Sequence, residues 1–106
     1  MDISPETCRS MNDLRALIDD LDGRIVELLA LRSACIDRAV ELKRAEGLPA
    51  RIDARVDEVV ANARRAADGR GLDPDLAERL WREIIEWSIA REDGAFAASE
   101  GDAHDR

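Results

Sequence analysis

The sequence predicts an all-α fold of three helices per chain. Apolar residues return every three or four positions through three stretches, and each stretch is bounded by residues that start or stop helices. No segment alternates apolar and polar residues with period two, so nothing in the chain reads as a strand.

The first stretch is the longest, and the rest of the chain is organised around it. Ser10 offers an N-cap hydroxyl and Asp13, three residues on, makes an acidic variant of the capping box, so helix one starts near Met11. From Leu14 to Lys43 the residues Leu14, Ile18, Leu21, Ile25 and Leu28, then Cys35, Ala39 and Leu42, keep one seam of the helix toward a partner. The helix runs to about Glu46, where Gly47 supplies a stop and Pro49 forbids continuation. Gly23 is its weak interior residue, at a cost of about 1 kcal/mol relative to alanine.

Ile52, Val56, Val59, Val60, Ala63 and Ala67 mark a second, shorter helix from Ile52 to about Asp68, ended by Gly69 and Gly71. Leu72, Asp73 and Pro74 then read as staple residue, N-cap and first helical proline of helix three. That helix carries Leu76, Leu80, Trp81, Ile84, Ile85, Trp87, Ser88 and Ile89, with Glu92 one turn beyond Ser88, and Gly94 is expected to close it. The resulting organisation is an N-terminal arm at 1–10, a single helical domain at 11–94, and a mobile polar tail at 95–106 that contains Phe96.

A chain of 106 residues with 45% apolar content supports one domain with a modest core. Its apolar runs fall short of the roughly 18 residues that span a bilayer, and Met1 to Ser10 lacks a signal pattern, so the expected location is the cytoplasm. Cys8 and Cys35 are too few for a disulfide framework and read as reduced. One histidine, His104, and no Cys-x-x-Cys spacing argue against a metal site. A net charge of −8 with 3% aromatic residues argues against a nucleic-acid partner, although a few inward cations can still make a local positive cavity. A first helix of about 52 Å outruns a domain whose radius of gyration is near 13 Å, and the rest of the chain is too short to cover it, which points to a homodimer.

Four cations stand out: Arg15, Arg32, Lys43 and Arg55. Taken singly, each reads as a solvated or ion-paired side chain. Arg32, however, falls in the apolar seam, and Lys43, eleven residues later, projects within roughly 20° of it. Arg15 lies about 25 Å along the axis from Arg32, so one small ligand meets both only if Arg15 arrives from a second chain.

The pattern Leu14-Arg15, Ile18, Leu21-Asp22, Leu28-Leu29, Arg32, Lys43 and Arg55, then Ile84-Ile85 with Ser88 and Glu92, resembles the all-helical chorismate mutases of the AroQ class over roughly residues 5–96. Pro5-Glu6-Thr7-Cys8 with Met11 to Asp22, and Ile84 to Ala90, also look like the isochorismate pyruvate lyase branch.

The resemblance implies an interlocked homodimer of three-helix chains with shared active sites that takes a small aromatic-precursor dicarboxylate and needs no cofactor. It implies rearrangement of chorismate to prephenate, with isochorismate pyruvate lyase as the alternative reading. Carried over by position, Arg15 from the partner chain and Arg32 clamp the substrate carboxylates, helped by Arg55 and Ser88. Arginine suits this because its planar fork meets a carboxylate with two parallel hydrogen bonds. Lys43 and Glu92 meet the ether oxygen, so catalysis rests on conformational restraint and electrostatic stabilisation. Where many members carry acids that meet the ring hydroxyl, this chain has Ile52 and Val56, which leaves isochorismate or a 4-amino analogue open as substrate. Glu92 stands where many members have glutamine. A reading of another class is a helical dimerisation module without activity, its cationic seam residues setting register.

Overall fold

The computed structural model describes residues 4–104, with side chains as far as residue 98. After a 3-10 turn at Pro5–Thr7 come three helices, α1 at Met11–Glu46, α2 at Asp53–Asp68 and α3 at Pro74–His104, and no strand occurs among the described residues. The chain forms two compact units, the first at Met1–Ala34 and the second at Cys35–Arg106.

The helix ends are made by the local chemistry that marks them in the sequence. At the start of α1 the Ser10 hydroxyl accepts the Asp13 N–H and the Asp13 carboxylate accepts the Arg9 N–H, both at 3.1 Å, so two donors with no partner inside the helix are satisfied. At its end Gly47 turns to φ 71°, which lets the Leu48 N–H reach the Lys43 carbonyl at 2.8 Å and the Gly47 N–H reach that of Arg44 at 3.4 Å. Gly71, at φ 77°, repeats the device after α2, with the Leu72 N–H bonded to the Ala67 carbonyl at 2.9 Å. Asp73 then caps α3 by accepting the Asp75 N–H at 2.9 Å, and Pro74 opens the helix.

A β-carbon at Gly47 meets no atom within 4 Å, so the cost of Gly47→Ala is conformational alone. We expect the variant to lose about 1 kcal/mol, read as a lower urea midpoint at unchanged slope.

Within the second unit α2 packs on α3 around Ala50, Val60, Ile85 and Ile89, with Val56, Val59, Trp81 and Phe96 against that cluster. Charged pairs rim the packing. Arg51 grips Glu86 with two hydrogen bonds of 3.0 and 2.5 Å, Arg64 meets Asp75 at 2.9 Å and Glu78 at 3.0 Å, and Arg91 holds Asp37 at 2.5 and 3.1 Å. The hydrogen bond from Arg51 holds the Glu86 carboxyl below its ordinary value of 4.5, Arg82 and then Arg64 do the same for Glu78, and Arg91 lowers Asp37 from 3.8. A depressed folded-state value gives stability that is present above the unfolded value and lost as pH falls through the folded one. Acid should therefore lower the thermal midpoint progressively below about pH 4.5, and Glu86→Gln should weaken that dependence. The effect is small because these pairs face solvent.

Two expectations need correction. Helix three does not close at Gly94 but runs to His104. A glycine stops a helix by taking a left-handed conformation, and among the described residues only Gly47 and Gly71 do so. The added turns are anchored, since Arg44 donates to the Ala95 carbonyl at 2.9 Å and stacks 5.4 Å from the centre of the Phe96 ring. The expected mobile tail thus begins inside α3, and the side chains of residues 99–106, His104 included, lie outside the described residues. Ile52, expected as the first residue of helix two, is its extended N-cap at φ −124°.

The seam that the sequence turns toward a partner lies largely open in the single chain. In this single chain Ile18, Ile25, Leu28, Cys35 and Leu42 are exposed, and only Leu14, Leu21 and Ala39 are half-buried. Within the second unit α1 turns Ile36, Ala39, Val40 and Lys43 inward, Val40 buried and the others half-buried.

Candidate functional site

Two of the predicted site residues come together in the second unit although 49 residues separate them. The Lys43 ammonium, in the last turn of α1, lies 2.8 Å from Glu92 Oε1 on α3, with side chains 19% and 5% exposed. It also donates a hydrogen bond of 2.7 Å to the Ala50 carbonyl. The separation from Glu92 is that of an ion pair, but the groups are not aligned as a hydrogen bond, and Glu92 Oε1 is a buried acceptor without a donor directed at it. The contact is a buried charge pair, and removing either member leaves the other charge without compensation.

Ser88 is buried one turn before Glu92 on the same face of α3, since positions four apart on a helix are neighbours. Its hydroxyl donates to the Ile84 carbonyl at 2.7 Å. The helix thus presents two buried polar side chains on a face otherwise made of Ile85 and Ile89. Buried polar groups at this spacing are not required by helix packing, and each here has a partner, Ser88 the Ile84 carbonyl and Glu92 the Lys43 ammonium.

The remaining predicted residues lie on α1 and α2. Arg55 is exposed on α2 and forms an ion pair with Glu58 one turn on. Arg15 is exposed and Arg32 half-buried on the part of α1 that belongs to the first unit. Ile52 and Val56 are half-buried, and Val56 packs against the α2–α3 core, so both positions have an apolar structural use. No cluster of three or more potential metal ligands occurs among the described residues, nor is any helix there long and apolar enough to cross a membrane.

Sequence reasoning missed Ala50 and Arg44. Ala50 acts through its backbone carbonyl, which leaves no trace in residue type. The contact of Arg44 with Ala95 and Phe96 depends on α3 continuing past Gly94.

The sequence model of the family described as chorismate mutase type II matches residues 14–93, which include Arg15, Arg32, Lys43, Arg55, Ser88 and Glu92. An isochorismate pyruvate lyase of Pseudomonas aeruginosa is 34% identical over 90 residues, covering 84% of this chain and 87% of that protein. A T-protein of Enterobacter agglomerans is 33% identical over 79 residues, and one of Haemophilus influenzae 29% identical over 96. These cover 74% and 90% of this chain but only 21% and 26% of the T-proteins, so the chain spans about a quarter of their length or less. With three helices, a family match over most of the chain and the matched segment containing the buried Lys43–Glu92 pair, the chain belongs to the chorismate mutase type II family.

Proposed function

We propose that the protein rearranges chorismate to prephenate, with Lys43 donating to the ether oxygen of the bound substrate. The observation that carries this reading is the ammonium held at a buried carboxylate within the family segment. A desolvated, preplaced donor stabilises charge as it gathers on the breaking ether bond, with no reorganisation at the moment of reaction. Glu92 meets the same oxygen and donates to it only when it carries a proton, because an ionised carboxylate accepts and does not donate. Ser88 and the arginines bind the carboxylates.

Two chains complete each site on this reading. Arg15 is supplied by the partner, and the second chain covers the exposed residues Ile25, Val26, Leu28 and Leu31 of α1, of which Leu28 is 67% and Leu31 63% exposed. Large apolar side chains grouped in this way favour association.

A second reading, isochorismate pyruvate lyase, is favoured by the similarity to the Pseudomonas aeruginosa protein over nearly its whole length and by the apolar Ile52 and Val56. Product analysis decides between the two. Prephenate formed from chorismate supports the mutase, and pyruvate released from isochorismate without prephenate from chorismate supports the lyase. No turnover of either leaves the inactive dimerisation module.

Glu92→Gln supplies a permanent donor of nearly the same shape. It is expected to remain active, because its amide donates without needing a proton. A dead Gln variant shows that Glu92 is not this donor.

A further inference from the structure

Lys43 is tied twice to the short link that follows it. Its carbonyl accepts the Leu48 N–H at 2.8 Å, and its ammonium donates to the Ala50 carbonyl at 2.7 Å. Between these ties stands Pro49, whose ring fixes its own φ and restricts the backbone of Leu48. Ala50 is 5% exposed, and it belongs to the core cluster with Val60, Ile85 and Ile89. Of the two acceptors beside the ammonium, the Ala50 carbonyl is aligned as a hydrogen bond and Glu92 Oε1 is not.

We propose that Ala50 is a positioning residue for Lys43: its methyl, seated in the α2–α3 core, holds its carbonyl against the ammonium, so that the charge stands beside Glu92 before substrate arrives. Ala50 touches no reacting atom. It acts by removing the freedom of a long, flexible lysine side chain, so that little ordering remains to be done in the transition state. Alanine suits the place, because a larger side chain overfills a buried position and glycine leaves the carbonyl unanchored. The proposal rests on the reading of Lys43 as donor to the ether oxygen, but the contact itself is open to a separate measurement.

Two full-chain variants test it. Ala50→Gly removes the methyl and keeps the carbonyl, whereas an ester in place of the amide between Ala50 and Arg51, made by chemical ligation, keeps the methyl and weakens the carbonyl as an acceptor. Each is assayed for kcat and KM, and for the nitrogen-15 resonance of the Lys43 ammonium in ligand-free protein, assigned by its absence in Lys43→Met. The wild type is expected to show a slowly exchanging ammonium that both variants lose. We expect kcat to fall about 10-fold in the ester and about 10 to 100-fold in Ala50→Gly, with KM within about twofold, because the carboxylate-binding groups are untouched. Ile85→Val, which thins the same core, is the control for a merely structural role and should leave the ammonium signal and kcat in place. An ester variant with the wild-type resonance or the wild-type kcat overturns the proposal. A wild type whose ammonium depends on Ala50 but which turns over neither chorismate nor isochorismate upholds the contact and overturns the functional reading.

Discussion

Lys43→Ala is expected to lower kcat by at least about 10²-fold, the scale seen when one preorganised donor to a developing oxyanion is removed. Stability changes with it. From the sequence, truncation of Lys43 is expected to leave folding intact, provided no acid depends on the ammonium. The structure gives it such an acid, because Glu92 has a side chain only 5% exposed and faces Lys43 at 2.8 Å. Removing one member of a buried pair leaves the other uncompensated, at a cost of about 3 to 5 kcal/mol. The double variant Lys43→Ala/Glu92→Gln separates the two effects. It should regain most of the lost stability, since no buried charge is stranded, while kcat stays low because the ammonium is still missing. Chemical denaturation and steady-state kinetics on the same preparations check both parts. A double variant that regains activity together with stability makes Lys43 a structural ion-pair residue and sinks its proposed role.

Arg15→Ala and Arg32→Ala are each expected to lower turnover by at least about 30-fold alone, yet to restore much of it when the two proteins are unfolded and refolded together. On the dimeric reading each site takes Arg15 from one chain and Arg32 from the other, so one of the two sites in a heterodimer regains both arginines. Random pairing makes about half of the dimers mixed, and activity should recover to about a quarter of the wild-type value. Loss of either guanidinium costs about 2 to 5 kcal/mol, because the substrate carboxylate it meets is left buried and unpaired. Heterodimers isolated by distinct affinity tags and found inactive would remove the shared site from the proposal.

Arg55 shows how a candidate residue can be named by type and spacing while its placement is not. Its position in the pattern names it as a carboxylate ligand, whereas in the single chain its guanidinium is paired with Glu58 on the exposed side of α2. An exposed pair of this kind is worth little, so it breaks readily if a dicarboxylate presents a better partner.

The sequence by itself determined the three helices, their starts at Ser10 and Asp73, and their stops at Gly47 and Gly71. Each of these is made by a hydrogen bond or a backbone conformation within five or six residues, so the information is local. Spacing also put Lys43 in line with Arg32 and Ser88 one turn from Glu92, whereas Ser88 and Glu92 became site candidates through the family resemblance. Tertiary structure alone decided the rest. Gly94 lies in α3 rather than ending it because a glycine is a stop only where the chain has reason to leave the helix, and there Arg44 and Phe96 instead anchor the added turns. Which part of α1 is covered within the second unit, with Val40 buried and Ile36, Ala39 and Lys43 half-buried, was decided there too, since burial is a property of what covers a face and periodicity shows only that a face exists. The carbonyl of Ala50 reached the ammonium of Lys43 for the same kind of reason: every residue carries a carbonyl, and only the path of the folded chain selects which one a lysine meets.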